Sequence, residues 1–185
     1  GLDFIGIKCQ PELSDNFCSQ CLTQAFLNDP YDMEGPKPPT VCACEVDMDG
    51  GLTMQILKLL SNKPVLFFDF RHYDPKEDVF VFSNCGSQTT WYAARSDDPD
   101  ENLKHVSFYR QTTTFYPAGG ATVQYMAKEG PATVARLARR NGRYWMAIMP
   151  ARFIEVPREK MQETSPEWPQ AFVKLNVDPK ELISE

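Results

Sequence analysis

Two carboxylates pose the chemical question in this chain. Glu45 ends a short apolar run, Val41 to Glu45, and Asp69 interrupts another, Leu66-Phe67-Phe68-Asp69-Phe70. A carboxylate inside such a run is costly to bury unless it is paired, hydrogen-bonded or bound to a cation. Between them, Asp47, Asp49, Gly50 and Gly51 form a turn with helix-start chemistry. Leu52, Ile56, Leu59 and Leu60 then recur at helical spacing, and Asn62 with Pro64 stop the helix. Pro64 to Arg71 reads as a strand. A strand–helix–strand unit can bring side chains at two strand ends to one place. Hard oxygen donors so placed suit a divalent cation. The plainer account is that Glu45 caps the helix and Asp69 pairs with an arginine. The residues alone leave both accounts open.

Other groups compete for the chemistry. Glu45-x-Asp47-x-Asp49-Gly50 imitates the start of a calcium loop, but Ile56 stands where the closing glutamate belongs, and the preceding run is a strand. Asp47 and Asp49 suit a helix cap and its dipole better. Six cysteines, Cys9, Cys18, Cys21, Cys42, Cys44 and Cys85, all lie in the first half. They read as reduced thiols, many of them core residues. Cys18 with Cys21 and Cys42 with Cys44 could form a four-thiolate zinc site. Against it, Cys18 and Cys21 fall inside a helical pattern, and Cys42 and Cys44 share a strand face, as a core strand requires.

The stretch from Cys44 to Arg71 resembles the region around the metal site of the L-fucose isomerase family, whose members interconvert aldoses and ketoses. The pattern C-E-x-D-x-x-G-x-L-T-M, followed by F-x-D-x-R, is matched by Cys44, Glu45, Asp47, Gly50, Leu52, Thr53 and Met54, then Phe67, Asp69 and Arg71. Phe4 to Leu13 and Asn84-Cys85-Gly86 add to it. The resemblance takes in nearly the whole chain but only the final third or so of a full family enzyme. It implies that Glu45 and Asp69, with one histidine, hold a divalent ion, typically Mn²⁺. It also implies that the same carboxylates move a proton between C1 and C2 of a small sugar through an ene-diol. A sugar would find contacts in Gln10, after the first strand, and in Asn84 and Ser87 of the turn Asn84-Cys85-Gly86-Ser87. Trp91 could stack on its ring. The bland readings are a plain turn and a core tryptophan.

The histidine breaks the pattern. The chain has only His72 and His105. On an alternating strand His72 points away from Asp69 and Arg71, and His105 matches no family motif. The resemblance places the ligand in an N-H-x-H-type segment just after the part similar to Trp168 to Leu182. The expectation is therefore a fragment lacking two N-terminal domains and a last C-terminal element. Its metal would be weakly held or absent and the fragment inactive alone, whereas its parent would be a cytoplasmic, oligomeric, metal-dependent aldose–ketose isomerase. The contrasting reading is a non-catalytic carbohydrate- or zinc-binding or assembly module.

These residues need elements to position them. The chain has 185 residues, 42% hydrophobic and 12% aromatic, enough for one large or two small domains. The net charge of −6, with basic residues dispersed except around Arg136 to Arg143, argues against a nucleic-acid partner. No apolar run approaches the ~18 residues of a membrane span. Leu2 to Lys8 reads as a strand, Asn16 to Leu27 as a helix, and Asn28 to Pro39 as a loop. After Pro64 strand-like runs follow at Val65–Phe70, Val79–Ser83, His105–Arg110, Ala121–Ala127, Thr133–Arg139 and Tyr144–Ile154, with an acidic loop from Ala94 to Leu103. Asn141-Gly142 is a hairpin signal. Gln170 to Leu175 reads as a last strand, and Asp178-Pro179 opens a short helix. The expected fold is α+β. Residues 1–62 would be the end of an α/β, Rossmann-like layer, and 63–185 an antiparallel β-barrel-like domain, incomplete at its C-terminus.

Overall fold

A computed structural model describes residues 1–184 of the chain. The N-terminal part is a strand–helix assembly. Strand β1 (Ile5–Ile7) runs parallel to β4 (Cys42–Cys44). Between them lie helices α1 (Glu12–Asn16) and α2 (Cys21–Asn28) and a small antiparallel ribbon of β2 (Tyr31–Asp32) and β3 (Gly35–Pro36). Of the helix expected over Asn16 to Leu27 only the later part is helical, as α2, and α1 lies almost wholly before it. The break follows from where the amides go: Ser19 N–H donates to the Gly119 carbonyl and Gln20 N–H to the Cys9 sulfur, so neither continues a helix. Phe17, expected on the apolar face, is exposed.

Helix α3 (Met48–Ser61) starts where its capping residue dictates. The Asp47 carboxylate accepts from Gly50 N–H at 2.9 Å, and Asn62 ends the helix in the left-handed conformation. Its buried face differs from the expected one. Gly50, Gly51, Thr53 and Met54 are buried, whereas Leu59 and Leu60 are exposed. Gly51 lies against the Phe4 ring and Ala43, and Gly50 against Phe67; a Cβ at either position would collide. Small residues let this helix close on the β1–β4 pair, and the leucines of its last turns remain outside.

The remaining strands form an open five-stranded antiparallel sheet in the order β5 (Asp69–Asp74), β6 (Val79–Ser83), β11 (Gln170–Leu175), β10 (Arg143–Phe153), β9 (Gly130–Arg140). Strands β5 and β9 are its edges, so the barrel-like closure expected from the strand spacing is corrected: a mixed α and β fold stands, and no barrel does. A separate ribbon of β7 (Ser107–Arg110) and β8 (Ala121–Gln124) joins the sheet through Tyr125 to Ala127, whose backbone pairs with Gln170. Strand β5 starts later than expected because the Gln88 side chain, not a strand, satisfies the Phe67 backbone N–H and C=O. Asn141 and Gly142, both at positive φ, make the tight β9–β10 turn. Part of the acidic loop is helical, α4 (Pro99–Leu103), capped by Asp98, and α5 (Pro179–Ser184) follows Asp178.

Phe80, Phe82, Val123, Tyr125, Phe153 and Val173 form the main core. Helix α3 is tied to β9 across the N-terminal and sheet regions. Arg136 pairs with Asp47, Arg139 Nε with Asp49 at 2.9 Å, and Leu137 N–H donates to the Thr53 hydroxyl at 2.9 Å.

Candidate functional site

Glu45 stands on a strained corner. Strand β4 ends at Cys44, and Glu45 and Val46 both take left-handed backbone, at φ 58° and 57°, a region that non-glycine residues rarely adopt. The corner is braced by Asp47 N–H donating to the Cys44 carbonyl and by the close approach of Gly6, whose absent Cβ would lie 3.0 Å from Val46 Cα. Glu45 is thereby exposed just before α3. Asp47, not Glu45, caps the helix. Burial opposes ionisation of Asp47, but the Arg136 guanidinium and the Gly50 amide outweigh it and hold the carboxyl below its ordinary range.

Asp69 begins β5 opposite Ser83. Its side chain is half exposed and lies 3.7 Å from Arg71 Nη1. Burial pushes its carboxyl above the usual range, while the charge of Arg71 and a hydrogen bond from Asn84 pull it down. A register shift between Phe70 and His72 sets Arg71 apart from simple alternation. Asn84 Oδ1 accepts from the Ser87 hydroxyl at 2.7 Å and from the Cys85 thiol at 3.3 Å. Cys85 Sγ in turn lies 3.4 Å from Cys44 Sγ. A short series of contacts leads from Glu45 toward Asp69: Glu45 adjoins Cys44, Cys44 touches Cys85, Cys85 adjoins Asn84, and the Asn84 amide lowers the pKa of the Asp69 carboxyl.

Gln10 belongs to the same neighbourhood. Its Nε2 donates to the Phe115 carbonyl at 3.2 Å, the Phe115 ring lies 6.2 Å from that of Trp168, and the Arg71 guanidinium sits 5.5 Å over Trp168. Trp168 Nε1 donates to Gln111 Oε1 at 2.7 Å, and Gln111 Nε2 donates to the Cys85 carbonyl at 2.6 Å. Arg71, Gln111, Phe115 and Trp168 were not singled out as site residues from the sequence. Arg71 carried a signal, two residues from Asp69; the others are distant in sequence and carried none.

Three of the four expected sugar contacts, Asn84, Ser87 and Trp91, are buried. Ser87 is buried, and its hydroxyl is engaged with Asn84 and Gln88. Trp91 is buried in a 3₁₀ turn (Thr90–Ala93), edge-on to Tyr92, with Lys63 Nζ 5.3 Å from its ring. It lines a groove of about 960 Å³ between α3, residues 64–69 and the β9–β10 hairpin, with Asp69 and the Asp47–Arg136 pair also in the wall.

His72 is half-buried opposite Val81 and His105 is exposed beyond α4. Among the described residues, no three His, Cys, Asp or Glu side chains form a group that could hold a metal ion. Glu45 and Asp69 each offer hard carboxylate oxygens, the donor type that Mn²⁺ or Mg²⁺ takes. The cysteine quartet considered for zinc is not assembled. Cys18 is exposed, and Cys42 faces Gln24 at 3.9 Å. No described helix is long and apolar enough to cross a membrane.

The family model described as "L-fucose isomerase, C-terminal domain" matches residues 82–185. Curated proteins named L-fucose isomerase from Streptococcus pneumoniae are similar over more of the chain. The protein of strain CGSP14 is 26% identical over 205 aligned positions, covering 90% of this chain and 35% of its own length. That of strain JJA is 27% identical over 165 positions, covering 71% of this chain and 28% of its own. The chain thus spans about a third of the length of these relatives.

Proposed function

The chain belongs to the L-fucose isomerase C-terminal domain family, and we propose that it is the portion of a metal-dependent aldose–ketose isomerase that supplies two of three metal ligands, Glu45 and Asp69. What supports this reading is the contact series from Glu45 through Cys44 and Cys85 to the buried turn at Asn84, whose amide acts on the Asp69 carboxyl.

In this reading the carboxylate oxygens of Glu45 and Asp69 hold part of a divalent cation, Mn²⁺ by preference. When bound, the cation polarises the sugar carbonyl and its neighbouring hydroxyl. Asp69, a half-exposed carboxylate beside Arg71, would carry the proton between C1 and C2. The corner at Glu45 holds that carboxylate outward, toward ligand. Gln10, which is exposed, offers its amide to sugar hydroxyls, and the buried Asn84 and Ser87 support Asp69 rather than touching sugar. Trp91 is assigned to the groove. The third ligand, a histidine, comes from outside the chain, so the chain alone is inactive and binds metal weakly. A division near residues 62 and 63, a cytoplasmic location and assembly of the parent into oligomers belong to the same proposal.

Titration of Mn²⁺, read by electron paramagnetic resonance of the free ion, tests it. The chain is compared with its parent extended through the following C-terminal segment. A tight site should appear only in the extended protein and vanish in both Glu45→Gln and Asp69→Asn. Binding indifferent to both substitutions would overturn the reading.

A further inference from the structure

Four of the six cysteines meet in the core although their elements are remote in sequence. Cys9 follows β1, Cys21 opens α2, Cys44 ends β4, and Cys85 follows β6; with Tyr116 and Trp168 they form one buried cluster. The contacts run in a line. Cys9 packs in the same cluster as Cys21, Cys21 Sγ lies 3.6 Å from Cys85 Sγ, and Cys85 Sγ lies 3.4 Å from Cys44 Sγ. No three converge as a metal-holding group. A linear row of thiols suits exchange between neighbours better than coordination around a point.

The members of the row differ in freedom. Cys9 sulfur accepts from Gln20 N–H at 3.2 Å, and Cys21 sulfur accepts from Gln111 Nε2 at the same distance, with its backbone in a helix. Cys85 is the least buried of the four, at 7% exposure, and sits in an irregular turn. Cys44 precedes the left-handed pair Glu45–Val46. The sulfurs 3.4 Å apart thus belong to one cysteine at the end of β4, next to the left-handed corner, and one in an irregular turn.

We propose that Cys44 and Cys85 are a reversible oxidation site, joined as a disulfide by a peroxide, and that the bridge displaces Glu45. One sulfur attacks hydrogen peroxide as its thiol proton passes to the departing oxygen, breaks the O–O bond and becomes a sulfenic acid as one water leaves. The second sulfur displaces the sulfenic oxygen, which departs as the second water. The two sulfurs lose two electrons and the peroxide oxygens gain them, and both thiol protons end in water. Closing 3.4 Å to a bond of ~2.05 Å requires about 1.3 Å of movement. The strained corner carrying Glu45 is next to Cys44 and takes up part of that movement. This last step rests on the metal-ligand role proposed for Glu45; the bond itself does not.

The test is peptide mapping of the intact chain after hydrogen peroxide treatment and alkylation in denaturant, with Cys18→Ser present to remove the exposed thiol. The expected result is a Cys44–Cys85 linked peptide lost on dithiothreitol treatment. Recovery of both residues alkylated, or Cys85 linked to Cys21, overturns the proposal without bearing on the isomerase reading. Mn²⁺ titration of the extended protein is the second arm. Oxidation should weaken binding by about tenfold or more, as loss of groups that orient ligands does, and dithiothreitol should restore it. A mapped bridge with unchanged Mn²⁺ binding overturns the displacement of Glu45.

Discussion

Residues 83–90 and the outer part of the β9–β10 hairpin invert the usual distribution of polar and apolar groups in opposite ways. Every residue from 83 to 90 is buried, and Ser83, Asn84, Ser87, Gln88, Thr89 and Thr90 are all polar. On the hairpin, Tyr144, Trp145 and Ile148 are 60%, 61% and 61% exposed. The first segment tolerates burial because its groups are matched. Ser83 donates to the Pro169 carbonyl, Gln88 takes both Phe67 backbone groups, and Thr89 and Thr90 bond Asp29. A buried polar group left unpaired is costly, whereas a paired one fixes geometry. The hairpin is held by its backbone, in register from Arg143–Arg140 to Phe153–Gly130, so its outer side chains are not needed for its shape. Precision in this molecule comes from the buried polar segment, which carries Asn84 and Cys85.

The comparison breaks most readily at Gly86. Its φ is 94°, and a Cβ there would collide with the Thr122 hydroxyl. Gly86→Ala should destabilise the chain by about 3 kcal/mol or more in urea unfolding, from backbone strain and overpacking together. Adding Thr122→Ala should recover only the steric part. A cost under ~1 kcal/mol would mean that the segment adapts and is not the rigid connector described.

Asp29 gives the next effect. Its buried carboxylate accepts from Thr89 Oγ1 at 2.6 Å, Thr90 N–H at 2.6 Å and Thr90 Oγ1 at 2.9 Å. Burial nevertheless pushes its pKa up to about 6, from an ordinary 3.8. The folded state then binds the proton more tightly than the unfolded state. Stability from this group is full below about pH 4 and falls as pH rises through about 6, by at most about 3 kcal/mol. Thermal unfolding of wild type against Asp29→Asn should show that decline between pH 4 and 6 in wild type only. Parallel curves would show that the segment's hydrogen bonds, not burial, govern Asp29.

A smaller effect belongs to Asp47, where helix α3 meets the hairpin. It caps α3 and pairs with Arg136. Asp47→Ala should cost about 1 kcal/mol, chiefly through the lost cap. Arg136→Ala should cost less than ~1 kcal/mol, because the arginine is half exposed and screened. Equal costs would make the ion pair, rather than the cap, the tie between α3 and β9.

Much of this was legible in the sequence where a local rule decides it. Asp47 as cap, Asn62 as stop, the Asn141-Gly142 turn and strands β6 and β11 follow from local chemistry. The split of α1 from α2 was not legible, because Gly119 and the Cys9 sulfur, remote from Ser19 and Gln20, draw the amides away. The late start of β5 was hidden for the same reason, since Gln88 substitutes for a strand. A barrel was expected because strand spacing does not report whether edges meet, and β5 and β9 remain edges. At the candidate site, Glu45 and Asp69 stood out as carboxylates in apolar runs. Ser87 and Trp91 did not keep their expected exposure, because burial of a polar turn depends on distant partners such as Asn84's neighbours and Gln111. The thiol row was illegible altogether, as it gathers residues from four separate elements.

The smallest expected effect is the most informative about the hairpin. Trp145 lies opposite Ala138 in the β9–β10 ladder, with its ring mostly in solvent. If the backbone alone fixes the hairpin, Trp145→Ser should change unfolding stability of this chain by less than about 0.5 kcal/mol, as exposed substitutions do. The same substitution in the extended parent would cost more wherever another segment or subunit covers this face, since burying an aromatic ring contributes about 2 kcal/mol or more. Measured side by side, the two costs separate a face that is exposed by nature from one that is uncovered only here. A large cost in the isolated chain would instead place the hairpin, like residues 83–90, among the parts whose side chains set the fold.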